Sequence, residues 1–62
     1  MFDIDKIVIS IYTELEMIVT RRQVKKIIHH IQLGYGNEEI SSEVGNNIDV
    51  SIIEQIRYEV YK

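Results

Sequence analysis

The fold is decided by one stretch in the second half of the chain, residues 37–61, which reads NEEISSEVGNNIDVSIIEQIRYEVY. Asn37 is a good N-cap, and the two glutamates after it lie in the first helical turn, where negative charge suits the helix dipole. This pattern predicts a short helix that ends at Val44. The next three residues, 45–47, are Gly-Asn-Asn and predict a turn, because glycine and asparagine tolerate left-handed backbone geometry.

A second helix is predicted to follow that turn and to run to residue 61. Asp49 or Ser51 can cap it, and Glu54 lies three residues after Ser51, the spacing of a capping box. Its apolar residues recur at helical spacing and give it one face to bury. They are Ile52, Ile53, Ile56 and Val60. The stretch therefore predicts two amphipathic helices, joined by a turn, over residues 38–61.

The segment before this pair predicts a longer helix over residues 21–33. Thr20 and Gln23 have the spacing of a capping box, so we expect the helix to begin at Arg21. Its apolar stripe is Val24, Ile27, Ile28 and Ile31. The residues Gly-Tyr-Gly at 34–36 predict its end, since glycine readily takes the left-handed conformation that terminates helices.

The first part of the chain predicts an amphipathic helix over residues 3–19. Its apolar residues follow spacings of four and three, which are typical of a coiled-coil seam. Continuing that seam would need apolar residues where the chain has Arg22 and Lys25, so the register ends before them. One continuous helix over 3–33 is the competing interpretation. The sequence as a whole predicts an all-α fold, a small domain of four helices over 1–62.

The length of the chain favours dimerisation. A domain of 62 residues buries only about 60% of the surface that its unfolded chain exposes, and this one has no Cys for a disulfide or a zinc site. The first helix is the predicted dimer interface, through the seam residues Ile4, Val8, Ile11, Leu15 and Ile18. The alternative is a monomer in which this helix packs on the core of its own domain.

Residues 38–56 resemble the helix-turn-helix unit of small bacterial and phage regulatory proteins, in which a short helix, a glycine turn and a recognition helix pack at a steep angle. The matching positions are Ile40, Ser41, Val44, Gly45, Ile48, Asp49, Ile53 and Ile56. Asn46 and Asn47 depart from the pattern as a two-residue insertion in the turn. The resemblance covers only the C-terminal half, with 21–33 as the support helix. A four-helix bundle without this geometry is the alternative fold.

This resemblance implies sequence-specific DNA binding, with the last helix in a major groove. The side chains that would read bases there are Val50, Ser51, Gln55 and Tyr58, and Arg57 would contact a phosphate. The charge of this region opposes such a role, because phosphate binding depends on positive charge. Residues 37–62 carry six acidic and two basic residues, a balance of minus four.

The sequence therefore favours protein–protein contact, with direct DNA binding as the alternative function. In this hypothesis a homodimer regulates gene expression by presenting acidic residues, Tyr58 and Tyr61 to a DNA-bound repressor or a transcription component. The predicted binding residues for a protein partner or DNA are Val50, Ser51, Gln55, Arg57, Tyr58 and Tyr61. A basic patch on the second helix can contact phosphate or an acidic partner, or is only a solvated face. It consists of Arg21, Arg22, Lys25 and Lys26.

Other functions have little support. Enzymatic activity is not expected, because the chain has no Cys, no glycine-rich phosphate loop and no nucleophile elbow. Adjacent His29 and His30 point about 100° apart on a helix, so they cannot share a metal ion. We expect no metal and no other cofactor. No apolar run approaches the roughly 18 residues of a transmembrane helix, and we expect a cytoplasmic protein with no membrane or small-molecule partner.

Overall fold

A computed structural model describes residues 2–45 and 48–62 of the chain. The described residues form four α-helices and no strand, which confirms the predicted all-α class. The helices are α1 (Ile4–Leu15), α2 (Arg21–Gln32), α3 (Asn37–Val44) and α4 (Val50–Tyr61). The predicted insertion at Asn46 and Asn47 lies outside the described residues. No helix in the described ranges is long and apolar enough to cross a membrane.

Helix α1 is shorter than the predicted helix over 3–19. Asp3 is its N-cap, and the carboxylate accepts a hydrogen bond of 3.1 Å from the backbone three residues on. The helix ends at Leu15, because Glu16 takes a left-handed conformation with φ of 56°, which is uncommon for a residue other than glycine. Val19 then lies in the core from a loop position. The predicted end of the helix at residue 19 is wrong, because the apolar spacing that predicts a helix continues through this loop.

The predicted break before α2 is confirmed, and the continuous helix over 3–33 is wrong. Thr20 Oγ1 accepts from the backbone N–H of Gln23 at 3.1 Å, and Gln23 Oε1 accepts from the backbone N–H of Thr20 at 2.8 Å. This reciprocal capping box satisfies two backbone donors and begins α2 at Arg21. Gly34 follows the other end of α2 with φ of 92°, a conformation that favours glycine.

Helices α3 and α4 also begin close to their predicted positions. Gly36, rather than Asn37, is the N-cap of α3, and the Glu39 carboxylate accepts from the backbone N–H of Gly36 at 3.0 Å. Asp49 is the N-cap of α4, and its carboxylate accepts from the backbone N–H of Ser51 at 3.4 Å. Because Asn37 is not needed as a cap, its side chain is available for a contact with α4.

The core consists of β-branched aliphatic side chains. Among the described residues the buried side chains are all Ile or Val, and none is polar or charged. They are Ile7, Ile11, Val19, Val24, Ile27, Ile28, Ile31, Ile40, Ile48, Ile52, Ile53 and Ile56. Helix α2 contacts each of the other helices, and α1 and α4 also contact each other. Since burial of one such side chain contributes about 1.5–3 kcal/mol, this cluster supplies most of the stability.

The predicted dimer seam lies mainly on the side of α1 that faces this core. Ile11 has no exposed surface, and Ile4, Val8 and Leu15 are half-buried against the core cluster. Ile18 is 83% exposed and lies in the loop after α1 rather than on the helix. The apolar stripe of α1 therefore packs within its own domain, against α2 and α4, and these five residues do not form one free surface.

Candidate interaction surface

Helix α4 carries the residues that the sequence predicts for binding, and side chains around its axis point in three directions. Successive residues on a helix lie about 100° apart. Ile52, Ile53 and Ile56 point into the core. Residues on the two flanks of this buried stripe reach the neighbouring helices, and those opposite the stripe face solvent.

Gln55 lies on the flank of α4 that contacts α1. Its Nε2 donates a hydrogen bond of 3.3 Å to Ser10 Oγ in a partly buried contact. The side-chain amide that the sequence predicts as a reader of bases is thus occupied between two helices of the same domain.

Arg57 lies on the opposite flank and fastens α4 to the start of α3. Its Nε donates to Oδ1 of Asn37 at 3.0 Å, and one Nη donates to the backbone carbonyl of Tyr35 at 2.9 Å. Hydrogen bonds from a charged donor are stronger than neutral ones. The Tyr35 ring also packs edge-on against His30, with 5.1 Å between ring centroids. The predicted phosphate contact is therefore a side chain that holds the α2–α3 loop against α4.

The first turn of α4 is partly enclosed as well. Val50 and Ser51 are half-buried, and Ser51 Oγ has almost no accessible surface and no hydrogen-bond partner among the described residues. Ser41 on α3 donates from its hydroxyl to the backbone carbonyl of Ile48 at 3.0 Å. This bond ties α3 to the segment before α4, and it satisfies a hydroxyl that would otherwise be costly to bury.

Tyr58 and Tyr61 lie on the outside of α4. They are 64% and 67% exposed, and Glu54 is exposed on the same helix. These three residues follow the spacing i, i+4, i+7, so they share one side of α4. We call them the tyrosine face. It combines two aromatic rings with one carboxylate.

An acidic groove of 440 Å³ runs along α3, and we call it the α3 groove. Its lining residues are Tyr35, Glu38, Glu39, Ser42 and Glu43. None of its glutamates forms an ion pair within the described ranges. The sequence prediction does not include this groove. The sequence feature that indicates it is the spacing of the four polar lining residues of α3, at i, i+1, i+4 and i+5, away from the buried Ile40.

Helix α2 presents the opposite charge. Arg22, Lys25 and Lys26 are exposed, and none has an ion-pair partner in the part of the chain that the structure describes. Arg21 pairs with Asp5, with 3.1 Å between Nε and Oδ1, and both side chains are about two-thirds exposed. The predicted basic patch is thus a solvent-exposed surface on which one of four cations is paired.

Comparison of the chain with protein-family models, with curated proteins and with solved structures finds no match. Among the described residues, no group of three or more possible ligands is placed to hold a metal ion. The described residues present three distinct surfaces to a partner: the tyrosine face, the α3 groove and the basic side of α2.

Proposed function

We propose that this chain is a small, non-enzymatic regulator of gene expression that binds a basic surface of another protein, such as a DNA-bound repressor or a component of the transcription machinery. The binding surface is the α3 groove together with the tyrosine face. One observation carries the proposal: Gln55 and Arg57 are hydrogen-bonded inside the domain, which leaves carboxylates and tyrosines as the outward chemistry of α3 and α4.

This chemistry suits a protein partner better than a nucleic acid. Tyrosine supplies a large contact area with a hydrogen-bonding tip and is enriched at interfaces. The glutamates of the α3 groove attract lysine and arginine side chains and raise the rate of encounter with a basic protein. The same carboxylates repel phosphates. The helix-turn-helix-like pair of α3 and α4 then acts as a scaffold for protein contact.

The functional unit in this proposal is a homodimer. Ile9 and Tyr12 lie three residues apart on the outward side of α1, and both are more than half exposed. Ile18 follows in the exposed loop. Contiguous exposed apolar surface, rather than a single exposed residue, favours contact with another protein, and Ile9 and Tyr12 are neighbours on α1. These three residues, rather than the core-facing stripe of α1, are the candidate dimer contacts.

The first test is binding to random-sequence duplex DNA, measured by fluorescence anisotropy at about 50 mM and 200 mM salt, since phosphate contacts weaken steeply over this range. We expect no binding at either concentration. Tight binding that falls steeply with salt would assign the function to DNA contact instead.

The second test is affinity capture from a bacterial lysate with a matched pair of variants, Glu43→Lys and Glu14→Lys. Both glutamates are exposed, and each is the second-last residue of its helix, so the two changes alter net charge and helix-dipole interaction alike. We expect Glu43→Lys alone to lose DNA-binding or transcription proteins that the wild type captures. Equal recovery with both variants would contradict the assignment of the α3 groove.

A further inference from the structure

One groove in the described part of the chain lies between the start of α1 and α2, and we call it the α1–α2 groove. It has a volume of 660 Å³, and it is lined by Phe2, Ile4, Lys25, Ile28, His29 and Gln32. Its floor is apolar: Phe2 and Ile4 are half-buried, and Ile28 belongs to the core. This groove has no part in the function proposed above.

The rim of the α1–α2 groove is basic. Lys25 and His29 line it, Arg22 lies three residues before Lys25 on the same side of the helix, and α2 contains no Asp or Glu in its 12 residues. Like charges three and four residues apart on a helix repel each other. Because Arg22, Lys25 and Lys26 have no acidic partner among the described residues, an anionic ligand would relieve this repulsion.

We propose that the α1–α2 groove binds an acidic amphipathic helix of another protein. Lys25, Ile28 and Gln32 line it along α2, and seven residues of helix span about 10 Å, or two turns. A guest helix with apolar residues at i, i+3 or i+4, and i+7 presents the same length of apolar surface. Its flanking carboxylates then meet Lys25 and Arg22.

Two other occupants fit less well. A nucleic acid would use the cations of α2 but not the apolar floor formed by Phe2 and Ile4. A second copy of this chain has acidic residues on α3, but Ile40, the buried residue of that helix, is already in its own core. The combination of an apolar floor and a basic rim therefore favours a helix whose apolar stripe is free and whose other residues are acidic.

The probe for this site is a fluorescein-labelled helical peptide of about 14 residues, four turns long, with a leucine stripe at i, i+3, i+4 and i+7 and glutamate at most other positions. One control peptide has the same composition in an order that breaks the stripe, and another has lysine in place of glutamate. By fluorescence anisotropy, we expect the first peptide to bind at least about tenfold more tightly than either control. Only this peptide has both a leucine stripe for the apolar floor of the groove and glutamates for its basic rim.

Matched variants locate the site. Lys25→Glu reverses a rim charge, and Lys6→Glu makes the same change at an exposed lysine that does not line the groove. We expect Lys25→Glu to weaken binding of the leucine–glutamate peptide about tenfold, since it turns an attraction into a repulsion, and Lys6→Glu to leave it unchanged. Phe2→Ala tests the floor and should weaken the same peptide, with circular dichroism as the check that each variant is folded.

Three results would overturn the proposal. Equal affinity for the leucine–glutamate peptide and for the control with a broken leucine stripe would mean that the protein recognises only the charge of the peptide. Equal effects of Lys25→Glu and Lys6→Glu would place binding elsewhere. Binding of random duplex DNA, or self-association, that Lys25→Glu abolishes would assign the groove to a nucleic acid or to a second copy. Glu43→Lys should leave peptide binding unchanged, which separates this site from the α3 groove.

Discussion

Replacement of Arg57 by alanine tests whether this side chain is structural. Arg57 donates to Asn37 Oδ1 at 3.0 Å and to the Tyr35 carbonyl at 2.9 Å, and these bonds connect α4 to the start of α3. A hydrogen bond from a charged donor contributes about 1.5–3 kcal/mol when buried. Because Arg57 is only half-buried, we expect both together to contribute about 2 kcal/mol to the free energy of unfolding.

A loss of this size is easy to measure in so small a domain. One kcal/mol corresponds to a change in Tm of about 4–8 °C for a domain of this length, so Arg57→Ala should lower Tm by roughly 10 °C or more. Arg22→Ala is the matched control, because Arg22 is exposed and has no ion-pair partner among the described residues. We expect it to change the free energy of unfolding by less than about 0.5 kcal/mol. Thermal and urea unfolding, followed by circular dichroism, give both values.

The geometry of the guanidinium can be tested separately. Arg57→Lys keeps the charge but replaces the planar fork by a single ammonium, which does not reproduce both bonds. We expect it to recover less than half of the stability that Arg57→Ala loses. A double-mutant cycle of Arg57→Ala with Asn37→Ala should give a coupling of at least about 0.5 kcal/mol. If Arg57→Ala is as mild as Arg22→Ala, and the cycle is additive, Arg57 is free for a ligand and the reasoning is refuted.

Three further predictions concern the core, the helix break and the dimer. Ile53→Ala removes a side chain with no exposed surface and should cost about 2–5 kcal/mol, enough to leave much of the protein unfolded at 25 °C by circular dichroism. Thr20→Ala removes the hydroxyl that caps α2 and should lower the free energy of urea unfolding by about 1 kcal/mol, whereas Thr13→Ala, at an exposed position, should change it little. Ile9→Asp should shift a dimer to a monomer in analytical ultracentrifugation with little loss of stability, because Ile9 is exposed within the protomer. An unchanged dimer would exclude the outward side of α1 as the contact.

The helices were predictable where their signals are local. The Thr20–Gln23 capping box and Gly34 each act within four residues, so the start and the end of α2 follow from the sequence. The end of α1 has no such signal, because Glu16 takes the left-handed conformation without being glycine. Val19 continues the apolar spacing although it lies in a loop, since the core accepts an aliphatic side chain from either kind of backbone.

The roles of individual side chains were less predictable, because they depend on contacts between distant parts of the chain. Gln55 meets Ser10 across 45 positions, and Arg57 meets Tyr35 across 22. Helical spacing identifies which residues of α4 are not in the core, but it does not distinguish the flanks of the helix from its outward side. For the same reason the apolar stripe of α1 predicts a buried face without indicating whether the domain or a second copy covers it.

The engagement of Arg57 also explains how the charges of this domain become segregated. Residues 37–62 contain two basic residues: Arg57 is hydrogen-bonded to the α2–α3 loop and α3, and Lys62 pairs with Glu59 at 3.1 Å. Neither cation neutralises the glutamates of the α3 groove, while α2 carries cations and no acidic residue. Like charges across an interface oppose binding, so a basic partner is repelled where it approaches α2, and an acidic partner is repelled where it approaches the α3 groove. Under the two proposals made above, partners of opposite charge therefore do not compete for one surface.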